Sequence, residues 1–413
     1  MTQPNARPQN LRKDFVAARP SRRLVVGGLT GLGGTGLGGC AVRSPALPDQ
    51  NPVLPLARLR ADAALLTNIT VCLRPFRPQG PRMDTEQVGD KLVVHNYGHG
   101  GSGWSLSWGA GTLAVQKAMA ASPGDIAVLG CGALGLTTGL IAAQAGARVT
   151  IYASALLPQT RSARATGTWS PDSRIAMASD AGPQFGAVWE QMARISWKAC
   201  HGYLGLPGDP VEFNDRYFLS DTPFPAPDGA AGAGGFVRYE HQIADMIPGY
   251  ETLAAGALPF DVPHARRTSS LMFNIAAYGH TLLNDFYAAG GRTEIRTFRA
   301  PGELAQLKQK VVINCTGFGA RSLWRDESLV PVRGQIGWLA PQPQVTYGLR
   351  YRGVQMLPRR DGIAVQEIGA SAMEGYGNGD ERADRAETGR AIAVMAGLYG
   401  RYRDGGTLHA ARG

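Results

Sequence analysis

Cysteine is scarce in this 413-residue chain, which has only Cys40, Cys72, Cys131, Cys200 and Cys315. None stands in a CxxC or Cys/His spacing, so nothing points to a metal site. Cys72, Cys131 and Cys315 lie inside apolar strands or a glycine motif, a setting for buried thiols, and no structural disulfide is expected. Aromatic residues (8%) and charged residues (18%) are also few. The net charge of +10 is no nucleic-acid footprint, because residues 1–39 alone carry +5 of it. No nucleic-acid partner is expected. Long apolar stretches are missing at the N-terminus as well. The uncharged run after Arg23 reaches Cys40 in 16 residues, half of them glycine. A membrane-spanning helix needs ~20 largely apolar residues.

That N-terminal run reads instead as an address or as a disordered glycine-rich leader. Arg22 and Arg23 precede "LVVGGLTGLGGTGLGGC", which resembles a twin-arginine export signal ending in a lipoprotein box, "LGGC". On the first reading residues 1–39 are the signal and Cys40 is the acylated residue. Residues 40–60 then form a Pro-rich tether, and the protein sits on the periplasmic face of a bacterial cytoplasmic membrane. Its only membrane contact would be that lipid anchor.

Glycine is abundant, at 55 residues, and it clusters. "DIAVLG" (125–130) reads as a buried strand, "ALGLTTGLIAAQAGA" as a helix and "RVTIYA" (148–153) as a second strand. Gly130, Gly132 and Gly135 place G-x-G-x-x-G at the first turn of this βαβ unit, which reads as a site where a pyrophosphate approaches the backbone and the helix N-terminus, the alternative being a merely structural glycine turn. The acidic residue expected after the second strand is absent, and Ser154 stands there as a weaker partner for a ribose. The second cluster is "HNYGHGGSGWSLSWGAG" (95–111), which follows the short strand "KLVVH" (91–95) and leads into a helix at 105–121. Taken alone, it reads either as a glycine-rich surface loop with His95 and His99 as packing residues, or as backbone lying flush against a flat ligand.

Arg74 and Arg77, in "CLRPFRP", follow a strand at 65–73. Taken alone, this Arg-Pro pair reads more readily as an exposed surface loop. The other reading is that the prolines stop the strand and hold the arginines rigidly, so that a planar guanidinium can grip a carboxylate with two parallel bonds. Further strands are expected at 310–317, 333–339, 353–357 and 362–368, and helices at 278–291 and 384–404. Residues 183–300 are mixed in character and include a Pro/Gly/Ala-rich loop at 224–235. There is no internal repeat.

Together these stretches resemble the FAD-dependent D-amino-acid oxidase family in six places. They are "VLGCGALGL", "ATGTWSP" (165–171), "INCTGFGA" (313–320), "PVRGQI" (331–336), "CLRPFRP" (72–78) and "VVHNYGHGGSGWSLSWG" (93–109). In ordinary members the last two segments close the protein, whereas here they open it. The simplest account is a circular permutation rejoined through the short turn 122–124. The fold implied is α/β, a Rossmann-type FAD-binding domain plus a second, mixed-sheet substrate domain, circularly permuted. Its plan has a permuted segment at 61–121, the Rossmann unit at 122–182 and the substrate domain at 183–300. A return to the FAD domain follows at 301–340, then substrate-domain strands at 341–375 and a C-terminal helix and tail at 376–413.

Carried over by position, the resemblance implies that FAD is held by Gly130, Gly132, Ala133 and Gly135, with Ser154, Thr160, Gly167, Thr168, Thr316 and Gly317 along it. Gly100, Ser102, Gly103, Trp104 and Ser105 would border the flavin. Arg74 would bind the substrate carboxylate and the Gly101 carbonyl its amine. Gln355 stands where the family has a carboxylate-binding tyrosine, and "QEIG" (366–369) replaces an expected "GGT". The implied activity is oxidative deamination of a D-amino acid, or a related small amino acid, by hydride transfer from the α carbon to flavin N5. No side chain need act as a base. Dioxygen would be the acceptor, giving hydrogen peroxide. The alternatives are a dehydrogenase of the same fold passing electrons to a membrane acceptor, and an envelope lipoprotein that binds FAD without turnover.

Overall fold

The structure, a computed structural model, describes residues 53–122, 124–224, 235–369 and 371–403. The expected N-terminal signal, Cys40, the first part of the expected tether, nearly all of the loop at 224–235 and the end of the tail lie outside the described residues. The chain begins with β1 (Leu66–Phe76), the hairpin β2 (Thr85–Val88) and β3 (Lys91–His95), and the helix α1 (Gly103–Ala121). The expected βαβ unit follows as β4 (Asp125–Leu129), α2 (Ala133–Gln144) and β5 (Arg148–Ala153). Next come α3 (Phe185–His201), β6 (Val211–Ser220), β7 (Glu251–Leu253), β8 (His264–Phe273), α4 (Ile275–Ala288) and β9 (Arg292–Ile295). The last part holds β10 (Val311–Asn314), α5 (Ala320–Leu323), β11 (Val330–Leu339) and β12 (Gly348–Tyr351). It closes with β13 (Val354–Arg359), β14 (Gly362–Glu367) and α6 (Arg385–Tyr399).

The strands form two sheets. One has the order β2-β3-β10-β4-β5-β9 and is parallel from β3 to β9. Its central strands are continuous apolar runs, "IAVL" and "VVI", because both faces are covered. Leu136 and Leu140 of α2, Leu282 and Phe286 of α4, and Val128 and Ile313 of the sheet share one core. The other sheet has the order β1-β11-β14-β13-β12-β6-β8-β7 and is antiparallel except where β12 meets β6. Ile392, Met395 and Leu398 of α6 cover it. Asp384 caps that helix by accepting from the amides of Ala386 and Glu387. Among the described residues no helix is long and apolar enough to cross a membrane.

Four local readings change. The strand predicted to stop before "RPFRP" continues as β1 through Phe76, with Pro75 opposite Pro331. β1 is an edge strand, where a proline's missing N–H leaves no ladder bond unmade. The helix α3 emerges in the region read only as mixed, although Trp189, Met192, Ala193, Ser196 and Cys200 are buried at helical spacing. α4 and β9 leave the expected substrate domain: β9 pairs with β5, and α4 packs on the layer that covers the parallel sheet. β11, expected in the FAD domain, pairs instead with β1 and β14.

Phe286 is fully buried against α2. Phe286→Ala is expected to cost about 3–5 kcal/mol of stability, read as a lower midpoint in urea unfolding. A loss under about 1 kcal/mol would mean that this packing is loose.

Candidate functional site

The turn after β4 accepts only glycine at two positions. Gly130 has φ +95°, and a Cβ on it would sit 2.6 Å from the Cys315 carbonyl oxygen. A Cβ on Gly135 would overlap the Gly130 carbonyl oxygen, so the missing side chain lets the first turn of α2 rest on the strand. Gly132 is the N-cap of α2, and the Ala133 amide donates to Ser162 Oγ at 3.0 Å. The positive end of the helix thus faces a cavity lined by Gly130, Gly132 and Ala133. Ser154 is exposed at the rim of that cavity, just past β5.

The second glycine cluster reaches the same cavity from β3. Its loop is clamped from two sides, since the Gly100 amide donates to the Pro75 carbonyl at 2.8 Å and the Gly101 amide to the Ser173 carbonyl at 2.9 Å. Gly100 has φ +54°, and a Cβ there would run into the Arg174 carbonyl oxygen. Gly100, Gly101, Gly103 and Trp104 line the cavity, and Trp104 Nε1 donates to the Ser162 carbonyl at 2.9 Å. Thr316 and Gly317, after β10, complete it. Its volume is about 390 Å³.

Several residues expected at this site are turned elsewhere. Ser102 Oγ donates to the Ser173 carbonyl and Ser105 Oγ accepts from the Ser170 amide, so both face the neighbouring segment and not the cavity. The Gly167 carbonyl accepts from the Phe273 amide, and Thr168 bridges to Met272, so both are fastened to β8. Ala165 and Thr166 line the cavity in their place. Gln355 is also withdrawn. Its Nε2 donates to Gln366 Oε1 at 2.9 Å, and it is Gln366, from the unexpected "QEIG", that reaches the cavity wall. Gln366, Ser162 and His99 are therefore site residues that the sequence reading did not select. For Gln366 the only signal was the replaced motif.

Arg74 stands in the wall of this cavity, half-buried, with its guanidinium lying against Gly334. Nη1 donates to the Arg333 carbonyl at 3.2 Å. No carboxylate among the described residues comes within ion-pair distance of it. Burial lowers its pKa from the ordinary arginine value, yet an arginine remains a cation in water. Arg77 is engaged elsewhere, with Ser328 and Asp326. No group of His, Cys, Asp and Glu among the described residues is placed to hold a metal ion.

The polar atoms left over suit a polar ligand. Thr160 Oγ1 and both ring nitrogens of His99 are buried without a hydrogen-bond partner among the described residues, and both residues line the cavity. A buried polar group without a partner costs roughly 1–3 kcal/mol. A dinucleotide carries the hydroxyls, phosphates and ring carbonyls to pair with them. The two glycine clusters, the N-terminus of α2 and these orphaned groups together fit FAD.

Burial pushes the His99 pKa down to about 3. Unfolded, the ring titrates near the ordinary value of 6.5. Between these values the unfolded chain binds more protons, so stability is lost as pH falls below about 6.5, at ~1.4 kcal/mol per pH unit. Urea unfolding of FAD-free protein should therefore show a steeper loss from pH 7 to 5 than the His99→Asn variant does. Equal losses would place the titration on another group.

The family described as FAD dependent oxidoreductase (DAO) matches residues 125–407, more than half of the chain. The chain is 28% identical over 215 residues to a D-amino-acid oxidase of Streptomyces coelicolor, covering 52% of this chain and 58% of that protein. It is 29% identical over 215 residues to a D-amino-acid oxidase of Rubrobacter xylanophilus, covering 51% and 57%. The matches thus span little more than half the length of these relatives. A solved glycine oxidase from Geobacillus kaustophilus aligns with a TM-score of 0.44 at 13% identity, over 66% of this chain and 77% of that one. By its family match the chain belongs to the DAO family of FAD-dependent oxidoreductases, and is an enzyme whose cofactor is FAD.

Proposed function

We propose that this enzyme oxidises the α carbon of a D-amino acid, or of a related small amino acid, to the imino acid. The observation that carries this reading is Arg74, a cation without a carboxylate partner among the described residues, set in the wall of the cavity that both glycine clusters line. Its fork takes the substrate carboxylate through two parallel bonds. The Gly101 carbonyl, at the same cavity, takes the amine. With both ends held, one α C–H is directed at the cofactor, and only one enantiomer presents hydrogen there. The amine binds neutral, so its lone pair forms the C=N bond as the hydrogen leaves, and no side-chain base is required. FAD, held at the cavity that Gly130, Gly132, Ala133, Gly100 and Gly101 line, would supply hydride-accepting chemistry, with dioxygen as the final oxidant and hydrogen peroxide as the product. Water then hydrolyses the released imino acid to the keto acid and ammonia.

Two finer points belong to the same proposal. The first is that the chain is a circular permutation of the family's fold. The family match starts at Asp125, the first residue of β4, while the earlier segment supplies β3 beside β10 and β1 beside β11. Both neighbours come from the matched part of the chain. The second is that the protein is exported and anchored through Cys40, a reading that rests on the twin arginines and "LGGC". A membrane position would set the enzyme beside quinones, and that favours a dehydrogenase as the second reading.

Holo-protein is expected to be yellow and to make peroxide with D-alanine. Bleaching by D-alanine with dye reduction but no peroxide would replace the oxidase with the dehydrogenase. Failure to take up FAD would sink both. Arg74→Lys keeps the charge and loses the fork, so kcat/KM should fall at least tenfold, as loss of ~1.5–3 kcal/mol of charge-assisted bonding requires. An unchanged kcat/KM removes Arg74 from the substrate site. Cys40→Ser should move the protein from the membrane fraction to the soluble periplasm, and continued membrane partitioning would refute the lipid anchor.

A further inference from the structure

Beyond Arg74 the molecule opens into a second cavity of about 720 Å³, which shares Arg74, Gly334 and Gln366 with the first as a common wall. Three half-buried arginines line it: Arg74, Arg174 and Arg333. Arg333 is matched, with Nη1 2.8 Å from Glu387. Arg74 and Arg174 have no carboxylate within ion-pair distance among the described residues. The charge facing Arg174 most directly is Glu374, which is exposed and therefore screened by water. Two neighbouring cations without a counter-ion are costly to bury, and an anion between them removes the cost.

The backbone at Arg174 is itself unusual. Its φ is +52°, a left-handed conformation that disfavours a residue with a Cβ. That conformation sets the Arg174 carbonyl against Gly100 while the side chain enters the larger cavity. Nε is anchored by donating to the Ala372 carbonyl at 2.8 Å. The two terminal nitrogens have no protein partner among the described residues and remain for a ligand. Burial and the nearby Arg74 guanidinium lower the Arg174 pKa to about 10. Such crowding is what a bound anion would relieve.

We propose that Arg174 determines substrate specificity, receiving a second carboxylate when Arg74 holds the first, so that the preferred substrate is a dicarboxylic amino acid. This rests on the amino-acid oxidation proposed above. The smaller cavity, on the FAD side of the shared wall, keeps the reacting end. The larger one takes the side-chain carboxylate, which a neutral substrate lacks.

The test compares kcat/KM for D-aspartate and D-glutamate with that for D-alanine, in wild-type holo-protein and in Arg174→Gln. Wild type should favour a dicarboxylic substrate at least tenfold. In Arg174→Gln that ratio should fall tenfold or more, chiefly through KM, with Arg174→Lys intermediate. The flavin spectrum of each variant reports that it has folded and loaded cofactor. Malonate should also bind the wild-type holo-protein more tightly than acetate does, and lose that advantage in Arg174→Gln. Oxidation of D-alanine with a ratio that Arg174→Gln leaves alone overturns this inference and spares the proposed function. Holo-protein whose flavin no amino acid of the panel bleaches overturns both.

Discussion

Everything at the site depends on parallel strands that end in register. Val94 of β3 and Val128 of β4 both face Ile313 of β10, and Leu129 of β4 faces Tyr152 of β5. The ladder continues one step past the strand ends. The Asn96 amide donates to the Asn314 carbonyl, the Cys315 amide to the Leu129 carbonyl and the Gly130 amide to the Tyr152 carbonyl. Four chain segments therefore leave the sheet at one edge and at one height. They carry the loop at 96–102, Thr316 and Gly317, the fingerprint glycines, and Ser154. Ligands of open parallel sheets bind at such carboxyl edges for this reason. The eight-stranded sheet adds Arg74 and Gln366 from its own wall, and the cavity is the space left between.

This arrangement explains how much could be read from the sequence. The βαβ unit was legible because strand, glycine turn and helix each have their own local physics, and all three agree. The loop at 95–111 was legible only in part, since so dense a run of glycine before a helix suits either a surface loop or close approach of backbone to a ligand. What could not be read was direction. Ser102 and Ser105 sit in the right stretch and still point at Ser173 and Ser170, because α1 begins at Gly103 and turns them inward. Gly167 is needed for its positive φ and its fit against the Phe273 carbonyl, a structural demand that mimics a cofactor contact. Pro75 misled in the opposite sense, since only the sheet order reveals that β1 lies at an edge. Domain boundaries failed for a related reason. Residues 275–295 are continuous with the substrate-side strands in sequence, but their apolar face fits the parallel sheet.

The unpaired polar atoms have a thermodynamic meaning. Thr160 Oγ1 and the His99 ring are withheld from water without compensation from the described residues. The FAD-free chain bears that cost, and a cofactor that pairs with these groups would return it and so link loading to folding. A neutral His99 fits this setting, because burial disfavours the charged ring.

The hydrogen bond from Gly100 to Pro75 has a mechanical corollary. Pro75 follows Arg74 directly in β1, and Gly100 precedes the helix that the glycine loop opens, so the arginine and the loop are tied by one short strut. A guest that tugs on the guanidinium must also nudge the glycine loop that lines the proposed cofactor cavity. The colour of the holo-protein would then register an occupant of the adjoining chamber even when that occupant has no electrons to give.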